Sequence, residues 1–291
     1  MYYVLYGFLY LISLLPFWML YGISYLAYLL IYYIIGYRKA VVLSNLAIAF
    51  PKKTNEERRL IAKSFYKNFT DNFIEVIKLF SLSPAQLEKR MTWDYAFLDK
   101  YYKEGKNVQL HLGHFFNWEY ANLSVSLASK FSVLVVYMPI ANKAMDKVFI
   151  KLRTRFNAKM IGATSFLKDF KPYSKEQSCL VFVADQNAGH YNLAYWLPFF
   201  GKMVPFVTGP EKTARLNNSV CVYAKFKKIK RGYYHADLIE ITANPRLLTE
   251  GEITKRTRDL IEENIREQPE NYLWTHRRWK RTFDPAKHRA L

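Results

Sequence analysis

No charged side chain occurs before Arg38, and this uncharged start constrains the chain more than any other feature. Residues 1–37 read MYYVLYGFLYLISLLPFWMLYGISYLAYLLIYYIIGY. As one helix they would reach about 55 Å, against a hydrocarbon core of about 30 Å. One straight span is therefore too long. Pro16 supplies a break, because a proline inside a helix removes a hydrogen bond and collides with the preceding turn. Phe17–Ile35 is then long enough to cross a bilayer, with residues 1–15 in the interface or continuing beyond a kink. Ten of the 23 tyrosines fall in 1–37, which suits contact with headgroups. Phe17, Trp18, Tyr21, Tyr25 and Tyr32 are the candidate membrane contacts. A cleaved signal peptide fits poorly, since no basic residue precedes the apolar core and no small-residue cleavage site follows it.

Arg38, Lys39, Lys52, Lys53, Arg58 and Arg59 follow the apolar stretch, and none of their kind precede it. The positive-inside rule puts the rest of the chain in the cytoplasm, whether the anchor crosses or re-enters. The expected division is an anchor over 1–37 and a cytoplasmic domain over 38–291. All of the formal charge of +19 then sits on the second part. With 51% apolar residues the chain is too hydrophobic for a disordered polycation. Cys179 and Cys221 form no C-x-x-C and face a reducing compartment, so neither a disulfide framework nor a zinc site is expected.

Thr54-Asn55-Glu56-Glu57 fits a capping box. It opens a long helix with Ile61, Phe65, Phe69, Phe73, Ile77 and Phe80 spaced about four apart. From residue 107 short apolar strands alternate with helices. Asn107–Leu112, Phe131–Tyr137 and Leu180–Ala184 read as strands, as do Val220–Phe226 and His235–Ile241. Phe116–Ala128, Lys143–Phe156, Glu211–Asn217 and Thr254–Arg266 read as helices. Such alternation predicts an α/β domain with a mostly buried central sheet, whose ligands bind beyond the C-terminal strand ends.

The sharpest local feature is Val108-Gln109-Leu110-His111-Leu112-Gly113-His114-Phe115-Phe116-Asn117-Trp118-Glu119. A strand runs out into Gly113, and His114 stands before a new helix. On one continuous helix, positions five apart lie about 140° from each other. His114 and Glu119 can therefore meet only if His114 lies on the preceding turn, which Gly113 makes feasible. A carboxylate on one imidazole nitrogen fixes the tautomer and leaves the other nitrogen to take a proton from a hydroxyl. His111, His114 and Glu119 do not have H-E-x-x-H spacing, so no metal is expected.

The H-x4-E pattern of His114 and Glu119, in its Gly-His-Phe-Phe-Asn-Trp-Glu setting, resembles the motif of the lysophospholipid and lipid A late acyltransferases. That family is related to the glycerol-3-phosphate acyltransferases. Further blocks resemble it in the same order: Tyr37-Arg38 through Phe50-Pro51, and Tyr137 and Pro139 with Asn142-Lys143 and Arg153–Phe156. Ala184-Asp185-Gln186 and Pro269–Lys280 follow. Met138 departs from the pattern, because many relatives carry arginine there; Lys143 or Arg153 would supply the basic contact. The resemblance implies a glycerol-3-phosphate-acyltransferase-like α/β domain behind a membrane helix. It implies transfer of a fatty acyl chain from acyl carrier protein to a hydroxyl of a lipid A precursor, at the cytoplasmic face of the bacterial inner membrane. His114 would be the general base and Glu119 its orienting carboxylate. Arg153, Asp185, Asn117, Gln186 and Lys143 would bind substrate or stabilise the oxyanion, and no cofactor is required.

A lysophospholipid or amino-acid lipid is the alternative acceptor. A non-catalytic adaptor that binds anionic lipid or nucleic acid through its charge is the competing class. The run Lys225-Phe226-Lys227-Lys228-Ile229-Lys230-Arg231 is the feature that suggests nucleic acid, yet no nucleic-acid module accompanies it. It reads more simply as a solvated hairpin beside anionic lipid.

Overall fold

The computed structural model describes residues 1–291, and one hydrophobic core runs from the N-terminal helices through the central sheet. The helices are α1 (Tyr2–Ser13), α2 (Phe17–Leu29), α3 (Lys39–Ala49), α4 (Asn55–Lys78), α5 (Pro84–Arg90), α6 (Tyr95–Lys103), α7 (Trp118–Ala128), α8 (Lys143–Arg153), α9 (Phe166–Phe170), α10 (Gly209–Asn217) and α11 (Glu252–Glu267). The strands are β1 (Met91–Trp93), β2 (Val108–Leu112), β3 (Ser132–Tyr137), β4 (Lys159–Gly162), β5 (Ser178–Val183), β6 (Tyr195–Phe199), β7 (Lys202–Phe206), β8 (Val220–Lys230), β9 (Tyr233–Thr242) and β10 (Arg289–Ala290).

Seven strands form the central sheet in the order β1-β9-β8-β2-β5-β3-β4. Every neighbouring pair is parallel except β8 and β9. All five side chains of β2 are buried, as a strand covered on both faces requires. Strands β6, β7 and β10 make a separate three-stranded sheet. The expected α/β class with a buried central sheet is therefore observed. The expected strands and helices recur with ends moved by a few residues. The helix after His114 begins at Trp118 rather than Phe116, because Asn117 caps it. Strands β1, β4, β6 and β7 are too short or too interrupted by proline to announce themselves by alternation.

The first 37 residues do not stand apart. Pro16 separates α1 from α2 as expected, and a π-helical turn at Leu30–Ile35 ends at Gly36, whose φ of 65° closes the segment. Phe17–Ile35 is the one helical stretch long and apolar enough to cross a membrane by length and composition. One stripe of it, Leu20, Ser24, Tyr28 and Tyr32, is buried against the domain, at the four-residue spacing of one helix face. Burying each large apolar member of that stripe contributes about 1.5–3 kcal/mol. Phe17, Tyr21, Leu29 and Ile31 flank the stripe half-buried, and the opposite face is outward, with Trp18, Ile23, Tyr25, Leu26, Tyr33, Ile34 and Ile35 exposed.

Helix α4 is the surface that receives this stripe. Its capping box forms, with Glu57 N–H donating to Thr54 Oγ1 at 3.2 Å and Thr54 N–H donating to Glu57 Oε2 at 2.6 Å. Polar side chains lock the two helices together. Ser24 Oγ donates to Asp71 Oδ1 at 2.6 Å, and the Tyr21 hydroxyl donates to Glu75 Oε1 at 3.0 Å. Of the candidate membrane contacts, Trp18 and Tyr25 are exposed, whereas Phe17 lies under the Arg90 guanidinium and Tyr32 is buried beside Tyr66.

Candidate functional site

Strand register builds the site. Strands β2 and β5 are adjacent and parallel, with Leu112 opposite Val183. Two residues further along each strand stand His114 and Asp185, so the pairing is a direct consequence of that register. His114 Nδ1 hydrogen-bonds Asp185 Oδ1, and the His114 backbone N–H donates to Asp185 Oδ2 at 3.0 Å. Gly113 is required between strand and histidine. A Cβ there would come within 2.7 Å of the Phe115 ring and 3.5 Å of Asp185 Oδ2.

Asp185 is fully buried, while the His114 side chain keeps 21% exposure. Burial alone would raise the Asp185 pKa; the His114 ring, its backbone N–H and Tyr272 outweigh burial and bring it down to about 2. Asp185 is thus ionised at neutral pH and can only accept. The hydrogen on the shared bond therefore belongs to His114 Nδ1. His114 Nε2 has no protein partner and is free to accept a proton.

Glu119 is not the carboxylate on His114. Helix α7 carries it away from the strand ends and toward α8, where Arg153 takes it. Arg153 Nη2 donates to Glu119 Oε1 at 2.5 Å and Arg153 Nε to Glu119 Oε2 at 3.0 Å. Trp118 Nε1 also donates to Glu119 Oε1, at 3.1 Å. The same Trp118 ring stands edge-on to the His114 ring, with centroids 5.5 Å apart. Trp118 thus stands between two carboxylate pairs, His114–Asp185 and Arg153–Glu119. Burial works against the charge on Arg153, but Glu119 outweighs it and holds the guanidinium pKa above its ordinary value.

The remaining sequence candidates take different places. Asn117 is the N-cap of α7: its Oδ1 accepts from the N–H groups of Glu119 and Tyr120, each at 3.1 Å, and its Nδ2 donates to Glu75 Oε2 at 3.1 Å. Glu75 is fully buried and also accepts from Tyr234 at 2.7 Å. Lys143 is an exposed residue in the first turn of α8 and makes no ion pair. Gln186 follows Asp185 and forms no side-chain hydrogen bond, whereas its neighbour Asn187 does. His111 points elsewhere, hydrogen-bonded to Gln109 Nε2 at 2.8 Å within the core, and burial lowers its pKa to about 4.

The C-terminal block closes over the histidine turn. Leu273 N–H donates to His114 O at 3.0 Å, Phe116 N–H to Asn271 O at 3.0 Å, and Asn271 Nδ2 to Phe116 O at 2.7 Å. Asn187 Nδ2 donates to Arg277 O at 2.8 Å, while Arg278 Nη1 donates to Asn187 Oδ1 at 2.7 Å. Asn45 on α3 reaches the same segment, donating to Trp274 O and His276 O, each at 2.8 Å. Blocks from residue 37 to residue 280 thus meet around one turn. Glu75 and Asn187 were not singled out from the sequence, and Tyr272 and Arg278 entered only as members of the C-terminal block. The order of the blocks was the only signal that their neighbourhoods converge.

The chain matches the family described as bacterial lipid A biosynthesis acyltransferase over residues 1–281. It is 26% identical over 261 residues to the lipid A biosynthesis palmitoleoyltransferase of Escherichia coli, covering 84% of this chain and 79% of that protein. The lipid A biosynthesis acyltransferase of Shigella flexneri gives the same figures, 26% over 261 residues with 84% and 79% coverage. The lipid A biosynthesis acyltransferase of Haemophilus influenzae is 22% identical over 236 residues, with 79% of this chain and 72% of that protein covered.

Proposed function

From the premise that this chain belongs to the bacterial lipid A biosynthesis acyltransferase family and is an acyltransferase, we propose that it transfers a fatty acyl chain from an acyl-carrier-protein thioester to a hydroxyl of a lipid A precursor. The observation that carries the reading is the pair His114–Asp185, with Nδ1 held by a buried carboxylate and Nε2 without a protein partner on a side chain that keeps 21% exposure. A hydroxyl oxygen of the acceptor attacks the thioester carbonyl carbon while His114 Nε2 takes its proton. The tetrahedral oxyanion collapses, the C–S bond breaks, and the imidazolium returns the proton to the leaving thiolate. Asp185 stabilises the imidazolium in between. Arg153 brings positive charge to the other side of Trp118, and Glu119 holds it in place.

The membrane face in this reading is the exposed side of α1 and α2, at the cytoplasmic surface of the inner membrane. The helices lie against the bilayer, and residues 38–291 are the cytoplasmic part. The support is the partner of α2: crossing the bilayer would drag α4 in with it, including Lys63, Lys67 and Asp71. Each charge at the bilayer centre costs several kcal/mol. The alternative of a non-catalytic adaptor gives no reason for a buried carboxylate that holds a partly exposed imidazole with one nitrogen free.

The test is an assay of membranes that carry the wild type or His114→Ala, supplied with labelled acyl-carrier-protein thioester and purified lipid A precursor. Wild type transfers label to the lipid, and His114→Ala loses at least about 10³-fold. Transfer by His114→Ala at the wild-type rate contradicts the mechanism. Labelling of a lysophospholipid instead of the precursor moves the acceptor to the alternative class.

A further inference from the structure

The basic run Lys225–Arg231 ends β8 and enters the hairpin turn, and its charges divide sharply. Lys225 Nζ pairs with Glu263 at 2.6 Å and Glu267 at 2.7 Å. Lys227 pairs with Asp237. Arg231 grips Asp71 on α4 through Nε at 2.8 Å and Nη2 at 2.5 Å. Lys228 has no carboxylate partner at all. Its ammonium donates to the neutral Asn68 Oδ1 at 2.6 Å. Burial pushes its pKa below the ordinary lysine value, and Glu75 and Asp71 offset only part of that. Lys67, on the same side of α4, also lacks a carboxylate; its ammonium lies 5.6 Å from the centre of the Tyr28 ring.

These groups face a cavity of about 340 Å³ enclosed by α2, α4 and the hairpin. Its lining holds three cations, Lys67, Lys228 and Arg231, against the single carboxylate of Asp71, a net of two positive charges. Asp71 is already occupied by Arg231 and Ser24. The lining therefore offers two ammonium groups in want of an anion, whereas the Thr70 hydroxyl is already committed to the Tyr66 and Lys67 carbonyls. The space equals roughly ten water volumes, enough for a phosphate and its ester substituents. Phosphate offers only acceptors, which suits a wall of ammonium and guanidinium donors. Tyr25 also lines the cavity, and beside it Leu26 and Trp18 present the exposed apolar face of α2.

We propose that this cavity binds the phosphate of a lipid headgroup whose acyl chains run along the exposed face of α2. Inorganic phosphate shares the headgroup chemistry but lacks the chains, so the two sources separate by affinity. The inference rests on the reading of the N-terminal helices as membrane-facing. It does not rest on acyl transfer, and a binding experiment keeps the two distinguishable.

The experiment is isothermal titration of the full-length protein in nonionic detergent with dioctanoyl phosphatidic acid or inorganic phosphate. The variants are Lys67→Gln/Lys228→Gln, the single Lys228→Arg, and the control Lys151→Gln/Lys168→Gln, which removes two exposed charges elsewhere. Saturable binding of the lipid is expected, at least tenfold weaker in Lys67→Gln/Lys228→Gln and within twofold of wild type in the control and in Lys228→Arg. Unfolding midpoints without lipid confirm that each variant is folded. Inorganic phosphate is expected to bind at least tenfold more weakly than the lipid. Equal losses in the test and control pairs, or undiminished binding by the test pair, overturn the proposal. Inorganic phosphate binding as tightly as the lipid overturns its lipid assignment.

Discussion

Two buried carboxylates on either side of Trp118 meet opposite kinds of partner. Asp185 sits at the end of a strand and holds an imidazole, which has a second nitrogen that can accept a proton. Glu119 sits in the first turn of a helix and holds a guanidinium, which has no acceptor. The first pair can move a proton; the second can only fix a charge. Position decides which is which. Parallel strand ends fall side by side by register, whereas the start of α7 faces α8. A short sequence motif brackets residues that are close in the chain, and here it brackets one member of each pair.

Breaking the first pair should have the larger effect. Asp185→Asn should lower the acyl-transfer rate by about 10²–10⁴-fold, because the imidazole loses its tautomer lock and the partner of its charged form. Steady-state rates with labelled donor check this, and a loss under threefold would remove Asp185 from the mechanism. Breaking the second pair should fall more heavily on folding. Glu119→Gln leaves the Arg153 guanidinium, only 18% exposed, without its counter-charge. That should cost about 3 kcal/mol in urea unfolding, with a smaller rate loss than Asp185→Asn.

Outside both pairs, His111 separates burial from catalysis. Burial lowers its folded pKa to about 4, below the ordinary histidine value of about 6.5 in an unfolded chain. Between those values the unfolded chain binds the extra proton, so stability is full above pH 6.5 and falls as pH drops toward 4. At pH 5 the deficit should be about 2 kcal/mol relative to pH 7.5, read by urea unfolding and reduced in His111→Gln. The smallest effect concerns the anchor. Tyr21→Phe removes one hydrogen bond to the buried Glu75 and should cost about 1 kcal/mol, with the rate almost unchanged.

Much of this organisation was legible along the chain. Apolar runs such as Leu180–Ala184 and Val220–Ala224 announce a buried sheet, and Gly113 marks where a strand must release its next residue. The capping box at Thr54 and the break at Pro16 are local, and both form as read. The partner of His114 was not legible, because Asp185 is 71 residues away and only strand pairing brings it there. Glu119 took that role in the sequence reading for want of any means to see α8. The same holds for the basic run. Its hairpin was readable, but which lysine would be left without a carboxylate depends on α4 and α11, which lie far off in the chain. The uncharged N-terminus read as a membrane anchor, and its contacts with the rest of the chain were not legible because Ser24 and Tyr21 are neutral; their partners are Asp71 and Glu75.

The account turns on which carboxylate holds His114, and nitrogen-15 NMR of histidine-labelled protein at alkaline pH reads that directly. The neutral His114 ring should carry its hydrogen on Nδ1 in the wild type and in Glu119→Gln, and should become a mixture of tautomers in Asp185→Ala. A ring that keeps its tautomer in Asp185→Ala but loses it in Glu119→Gln would contradict the account.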